Sequence, residues 1–318
     1  MIKVQGLSKH YGSVKAVDGI SFDVAEQENL ILLGTSGCGK TTTLKMLNRL
    51  IEPTRGHIQI DDRDIMSQPP ELLRRGIGYV LQNIGLFPHY TIAENIAVVP
   101  KLMQWDDKRI KSRTRELLEK LHLPNTLLSA YPGQLSGGQQ QRVGLARALM
   151  ANPPVLLMDE PFGALDNITR TKIQAEFKEL DELKRKTIIM VTHDVQEAFE
   201  LGNRICLMDK GRIMQIGTPA QLLFSPANAF VEDFLQGQRL QLEFKAITLN
   251  DVWDLLPGAD AQHRKTSATD INIWTAMELL KEKGATLHLQ QAEKGPLKTT
   301  NFEQLMSAFN RYQNRKSV

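Results

Sequence analysis

At 318 residues the chain has material for about two domains and a sizeable core. Its 42% hydrophobic and 24% charged residues are those of an ordinary soluble globular protein, and a formal net charge of +3 is too mild to imply a nucleic-acid or anionic-membrane footprint. Two cysteines, Cys38 and Cys206, give no disulfide framework or cysteine zinc site and fit a reducing compartment; no apolar run approaches the ~20 residues of a membrane span, and Met1-Ile2-Lys3-Val4 leads into strand-like sequence without a visible signal peptide.

Residues Ile2 to Leu7 and Ile20 to Val24 alternate apolar and polar side chains, which predicts two strands of a half-exposed sheet with a turn at Tyr11-Gly12. On local sequence Tyr11 reads as a partly buried turn aromatic. The apolar run Leu30-Ile31-Leu32-Leu33 predicts a strand. Gly34-Thr35-Ser36-Gly37-Cys38-Gly39-Lys40-Thr41 follows it, and then Leu44, Leu47 and Leu50 share one helical face. Strand, glycine loop and helix in this order are the context of a phosphate-binding loop. Its glycines let successive N–H groups turn inward as a concave nest, and the helix aims its positive dipole end at the same place. Lys40 then reaches the β- and γ-phosphates, and the Thr41 hydroxyl is placed to ligate Mg²⁺. The competing reading is a glycine-rich turn that binds nothing; the flanking strand and helix argue against it.

Glu52-Pro53-Thr54-Arg55-Gly56 ends the helix, and His57-Ile58-Gln59-Ile60 resumes a strand. Gly76 to Leu81 predicts another strand that stops at Gln82, followed by the apolar loop Asn83-Ile84-Gly85-Leu86-Phe87-Pro88-His89. From Thr91 to about Met150 the signals are helical. Ile110, Leu117, Leu118 and Leu121 form a stripe, and Lys108, Arg109, Lys111, Arg113 and Arg115 form a solvated face. Leu135-Ser136-Gly137-Gly138-Gln139 opens a further helix. Val155-Leu156-Leu157-Met158 predicts a buried parallel strand that ends in Asp159-Glu160-Pro161. Ile168 to Leu183 reads as one amphipathic helix, and Thr187 to Thr192 as a second buried strand that ends at His193. Arg204 to Met208 and Arg212 to Ile216 flank Asp209-Lys210-Gly211 as a hairpin. Strands alternating with helices predict an α/β fold with a mostly parallel sheet covered on both faces. Beyond Gln236-Gly237-Gln238 the chain is richer in Gln, Asn and Thr. Ile271 to Lys283 reads as a helix capped at Gly284, Leu287 to Leu289 as a short strand and Phe302 to Phe309 as a helix, a small α+β appendage.

Ligands of parallel α/β sheets gather at the carboxyl ends of the strands. Lys40, Gln82, the Asp159-Glu160 pair and His193 all fall at such ends, so a common γ-phosphate is a geometric expectation. Asp159 suits the Mg²⁺ hydration shell, Glu160 the proton of an attacking water, and His193 the γ-phosphate. Gln82 suits the metal and that water. Taken singly, Gln82 and His193 read as structural residues; taken with the phosphate loop, they read as a site.

Residues 1 to about 236 resemble the nucleotide-binding subunit of an ATP-binding cassette (ABC) transporter. The resemblance rests on the Walker A loop Gly34 to Thr41, the Q-loop at Gln82 and the signature Leu135-Ser136-Gly137-Gly138-Gln139. It continues through Walker B (Val155 to Asp159) with Glu160, the D-loop Ala164-Leu165-Asp166 and the switch His193. It implies a RecA-like core with antiparallel β and helical subdomains, the helical one at about 88–152, and an accessory domain at 237–318. It implies ATP held by Gly34, Thr35, Ser36, Gly37, Cys38, Gly39, Lys40, Thr41, Thr42 and Gln82, and by Tyr11 stacked on adenine. Mg²⁺ would sit at Thr41, Gln82 and Asp159, with Glu160, His193 and Lys40 catalytic. Two copies are expected to pair head to tail, so that Ser136, Gly137, Gly138 and Gln139 of one close on the ATP of the other; the amides at that helix N-terminus offer a second anion site.

Gly34 to Leu50, Gln82 to His89 and Asn95 to Pro100 resemble the osmoprotectant-uptake branch, importers of glycine betaine, carnitine, choline or related quaternary amines. The resemblance implies membrane permease subunits docked at Gln82 to His89, an extracytoplasmic solute-binding protein, a peripheral position on the cytoplasmic face of the membrane and no nucleic acid. The tail resembles one degenerate cystathionine-β-synthase (CBS) module. Lys294 to Thr300 lacks the apolar strand such a module expects, which favours a packing or dimer-steadying role over sensing of salt or nucleotide. Importing another small zwitterion, acting as a non-transport ABC ATPase and serving as a non-hydrolysing binding module are the alternatives.

Overall fold

Alternation at the amino end produces β1 (Ile2–Tyr11) and β2 (Val14–Val24), with Ile2, Val4 and Leu7 turned inward and Lys3 and Gln5 outward. The two pair antiparallel from Ile2↔Val24 to Tyr11↔Val14, and Gly12 turns the chain at φ +59°. The computed structural model describes residues 1–82, 85–258, 269–283, 286–291 and 296–316. The chain divides into two compact units, Met1–Ile216 and Gly217–Val318.

In the first unit β3 (Asn29–Gly34) opens the principal sheet, while β4 (Arg55–Ile60) and β5 (Arg63–Asp64) join the antiparallel sheet in the order β2-β1-β4-β5. The principal sheet adds β6 (Ile77–Val80), β7 (Val155–Asp159), β8 (Thr187–Thr192), β9 (Arg204–Asp209) and β10 (Arg212–Gly217), ordered β10-β9-β3-β8-β7-β6. Every residue of β7 and β8 is buried, as continuous apolar runs require of strands covered on both faces. Parallel register sets Leu33 beside Thr192, Asp159 beside Val191 and Val80 beside Met158, so four strands finish at one edge.

Helices α1 (Lys40–Leu47) and α2 (Pro70–Arg75) precede β6, and α3 (Ile92–Leu102), α4 (Asp107–Lys120) and α5 (Gly137–Leu149) form the helical layer before β7. Thr91 starts α3 with a capping box: its Oγ1 accepts from Glu94 N at 3.2 Å, and Thr91 N donates to Glu94 Oε2 at 2.8 Å. Ile168 to Leu183 is not one helix. It is α6 (Asn167–Glu179) and α7 (Asp181–Lys184), separated where Leu180 adopts extended backbone. Two short helices that bury the same face carry the same apolar period as one long helix. The last helix of the unit is α8 (Val195–Leu201). The solvated face expected on α4 is only partly so. Arg113 and Lys120 reach Glu182 on α7, Lys120 at 2.7 Å, and both also bind Glu116.

The second unit holds α9 (Pro219–Phe224), α10 (Ala229–Gln236), α11 (Arg239–Ala246), α12 (Ile273–Lys283), β11 (Leu287–Gln290), β12 (Leu297–Thr300) and α13 (Phe302–Lys316). Its own core gathers Ile247, Leu249, Trp253, Ile273, Leu305 and Phe309. The compact boundary at Ile216/Gly217 precedes the compositional change at 236–238, because α9 belongs with α11: Arg239 Nη2 donates to Leu223 O at 3.0 Å. Leu297–Thr300 is a strand although its sequence is barely apolar, paired antiparallel with β11 from Leu287↔Thr300 to Gln290↔Leu297. The ladder and Lys298, whose ammonium donates to Trp253 O at 2.5 Å and Leu256 O at 3.1 Å, replace the missing apolar face. The cap at Gly284 lies outside the described residues.

Burial pushes the Glu182 carboxyl up, but hydrogen bonds from Lys120 and Arg113 outweigh it and hold it below the ordinary carboxylate range. A lowered native value means that this stabilisation is complete above the unfolded-state value and is lost as pH falls through the native one. Glu182→Gln is therefore expected to cost about 1–3 kcal/mol near neutral pH, mainly through Arg113, since water screens the half-exposed Lys120. Denaturant unfolding of both proteins should show the difference shrinking as pH falls below the unfolded-state carboxylate value.

Candidate functional site

The loop between β3 and α1 is folded around glycines that no other residue replaces without strain. Gly34, Gly37 and Gly39 have φ +150°, +78° and +102°. A Cβ at Gly34 would stand 2.1 Å from Met208 O, and one at Gly39 would stand 2.4 Å from Ala16 O. Lys40 is buried and folds back over the loop, its Nζ donating to Gly34 O and Thr35 O, both at 2.8 Å. These acceptors are neutral; an anion in the loop would offer the ammonium a stronger, charge-assisted partner. Thr43 Oγ1 donates to Gly39 O at 2.9 Å and tightens the first turn of α1.

The ends of β7 and β8 supply the carboxylates and the imidazole. Asp159 is buried and accepts from Thr41 Oγ1 at 2.8 Å; burial raises its carboxyl, against the pull of that hydrogen bond and of Lys45 and Lys40. Glu160 sits in the left-handed region at φ +44°, anchored by its N–H on Val191 O at 2.9 Å. Its side chain is bracketed: Gln82 Nε2 donates to Oε2 at 3.0 Å, and His193 Nδ1 lies 3.2 Å from Oε1. Lys40, Gln82, Glu160 and His193 all face one cavity of about 520 Å³, with Ser36, Gly37, Gly39, Thr41 and Thr42 on its floor. Gly34, Thr35 and Cys38 form the loop behind that floor.

Two groups of candidates lie elsewhere. Ser136 caps α5, its Oγ accepting from Gln139 N at 3.3 Å while Ser136 N donates to Gln139 Oε1 at 2.9 Å. Gly138 packs tightly on α6: a Cβ there would stand 3.0 Å from the Thr169 methyl and 3.2 Å from Ile173 Cδ1. Ser136, Gly137, Gly138 and Gln139 do not line the cavity, and neither does Tyr11, which ends β1 half-exposed with Lys9 Nζ 5.2 Å above its ring. Ala16 does line it. Asp209 accepts from Thr35 Oγ1 at 3.4 Å. No local motif announces either residue as part of a site: Ala16 acts through its backbone carbonyl, which crowds Gly39 and, less closely, Gly211. A larger cleft of about 1070 Å³ runs beside α4 and α7, but its Arg113, Lys120, Glu116 and Glu182 are already paired with one another.

The family described as ABC transporter matches residues 17–163. Over 307 residues the chain is 43% identical to the glycine betaine uptake system ATP-binding protein YehX of Escherichia coli (strain K12), covering 96% of this chain and 99% of that one. The chain belongs to the ABC transporter ATP-binding proteins. This cassette is also 54% identical over 241 residues to the glycine betaine/carnitine/choline transport ATP-binding protein OpuCA of Bacillus subtilis (strain 168), covering 76% of this chain. It spans only 63% of that relative's length. Among solved structures, the dimeric MJ0796, a bacterial ABC transporter cassette, superposes with a TM-score of 0.62 at 34% identity, over 69% of this chain and 98% of that one.

Gly39→Ala is expected to weaken ATP binding at least about tenfold and to lower stability by about 1–3 kcal/mol, since strained φ and a backbone clash coincide there. Gly37→Ala meets open space and carries the φ strain alone, so its effect is expected to be smaller in both ATP titration and thermal unfolding.

Proposed function

We propose that this cassette hydrolyses ATP to drive import of a small quaternary-amine osmoprotectant through membrane permease subunits. The observation that carries the reading is the Glu160 carboxylate held between Gln82 and His193 at the mouth of the phosphate-loop cavity. There Lys40 meets the β- and γ-phosphates, Glu160 takes the proton of the attacking water, and Gln82 and His193 keep that carboxylate aimed. The donor set suits Mg²⁺: a hydroxyl on Thr41 bonded to a buried Asp159 whose carboxyl burial has raised, a charge that a hard divalent cation offsets. Thr41, Asp159 and Gln82 would hold the ion, which when bound neutralises phosphate charge.

The signature residues Ser136, Gly137, Gly138 and Gln139 stand outside their own chain's cavity, which supports completion of each site by a second copy arranged head to tail. A neighbour of 33% identity is a dimer in a post-hydrolysis state bound to ADP and Pi. The half-exposed Tyr11 is assigned to adenine. Removal of the γ-phosphate then weakens the bridge between copies and shifts the population toward an open dimer.

The permease is assigned to the loop from Gln82 to His89 and its aromatic neighbours; Ile84 lies outside the described residues. Phe87, His89 and Tyr90 form an exposed aromatic cluster, with ring centroids 4.8–6.3 Å apart. Fully buried Asn95 fixes it by accepting from Phe87 N at 2.8 Å and donating to Phe87 O, Tyr90 O and Thr91 O at 3.0–3.1 Å. A rigid apolar patch of this kind suits a partner surface. We assign the cassette a peripheral place on the cytoplasmic face, anchored by the permease; no helix among the described residues is long and apolar enough to cross a membrane. An extracytoplasmic solute-binding protein completes such a system, and no nucleic acid enters it. The substrate class follows the names of relatives, among them the osmoprotectant import ATP-binding protein OsmV of Salmonella typhimurium, 47% identical over 268 residues. Its second unit is assigned a packing or dimer-steadying role.

Glu160→Gln is expected to reduce ATPase turnover about 10²-fold or more while ATP binding persists. A folded Glu160→Gln protein that hydrolyses ATP at the wild-type rate would remove Glu160 as the base. ATPase of the assembled complex, screened across quaternary amines and other zwitterions, should rise most with a quaternary amine.

A further inference from the structure

The loop that carries His193 is fastened from behind by residues that touch neither the cavity nor its floor. Thr192 Oγ1 accepts from Asp194 N at 3.0 Å, and Asp194 Oδ1 caps α8 by accepting from Gln196 N at 2.9 Å and Glu197 N at 3.2 Å. His193 therefore stands between two anchored neighbours. Both anchors lead to α6. Arg170 Nη1 lies 3.8 Å from Asp194 Oδ2, and Gln174 Nε2 donates to Glu197 Oε1 at 3.0 Å. Arg170 also donates to Phe162 O at 3.2 Å and Leu165 O at 2.9 Å, carbonyls of the turn that follows Glu160. One guanidinium thus spans the loops after β7 and β8, which carry Glu160 and His193.

The adjacent face of α6 carries the signature helix. Gly138 sits so close to Thr169 and Ile173 that a Cβ would approach them to 3.0 and 3.2 Å, and Arg142 pairs with Glu176 at 2.7 Å. Thr169, Ile173 and Glu176 follow the i, i+4, i+7 spacing of one helical face, and Arg170 and Gln174 lie roughly 100° round the axis from it. A helix thirteen residues long therefore touches α5 on one side and the His193 loop on the other.

We infer that α6 couples the two functional ends of each cassette, with Arg170, Gln174 and Glu197 acting as positioning residues that keep His193 in register with the signature helix. The inference rests on the proposed ATPase dimer, in which α5 meets one nucleotide and His193 another. When the partner's nucleotide seats α5, α6 carries that placement to His193 and Glu160 of its own site, and the two sites fire together. Glu197 is suited to this part because it is 5% exposed. Burial pushes its carboxyl up, hydrogen bonds from Thr192 and Gln174 oppose that, and water cannot replace Gln174 as a partner.

The test is steady-state ATPase of the purified full-length chain across ATP concentration, with ATP binding measured separately. Gln174→Ala, at a half-buried position, is expected to lower the Hill coefficient from about 2 toward about 1 and kcat about tenfold, with ATP binding changed less than about twofold. Arg170→Lys loses the planar fork that reaches three acceptors and is expected to behave alike. Glu197→Gln keeps an acceptor for Gln174 and is expected to retain most of the cooperativity. A Gln174→Ala protein with unchanged melting temperature, Hill coefficient and kcat would overturn the inference. So would a loss of cooperativity matched by an equal loss of ATP binding. Should Gln174→Ala fail to fold, Arg170→Lys on the surface of the same helix carries the decision. A wild-type chain without ATPase activity would overturn the proposed function and this coupling together, whereas an active, cooperative wild type beside an unchanged variant overturns the coupling alone.

Discussion

Side chains from four different strands meet at one cavity because the parallel ladder stops at one edge. With Leu33 beside Thr192 and Asp159 beside Val191, the residues that come next are the glycine loop, His193 and Glu160. A slip of one residue in β7 against β8 would turn every side chain of β7, Asp159 included, to the other face of the sheet. Register here is held by burial on both faces, since every residue of both strands is enclosed. The Glu160 N–H bond to Val191 O extends that ladder one step into the turn, where Glu160 takes up its left-handed backbone. The same apolar packing that stabilises the sheet is therefore what aims the edge proposed to be catalytic.

The second sheet contributes less visibly. Its β2 strand passes so near the phosphate loop that Ala16 O forces glycine at position 39, and Ala16 itself lines the cavity. The glycine-loop cavity and the antiparallel sheet therefore share a wall, so the small N-terminal strands help to shape the proposed nucleotide site.

Much of this was legible in the sequence where a local pattern determines the structure. The glycine loop between an apolar run and a helix, the enclosed strands and the helix that opens at Ser136 each follow from chemistry within about ten residues. What was not legible depends on distant contacts. The break at Leu180 hides within one continuous helical period, and Arg113, which looks merely solvated on α4, pairs with Glu182 on α7. β12 has too few apolar residues to announce itself and exists because β11 and Lys298 hold it. Ala16 acts through a carbonyl, which no side-chain pattern encodes.

Cys38 shows what the tight loop does for chemical durability. A thiol in a phosphate loop is a natural target for oxidants and electrophiles, since the loop's amides and its lysine would favour the reactive thiolate. Here Cys38 is 2% exposed, its sulfur faces Gly34, and burial raises the thiol in spite of Lys40 Nζ at 3.8 Å. The close approach that demands glycine at position 34 also shuts the sulfur away from peroxide and alkylating agents. Cys206, the other cysteine of the chain, lies in the same core, and burial pushes its thiol up as well, so both sulfurs are held in the less reactive protonated form.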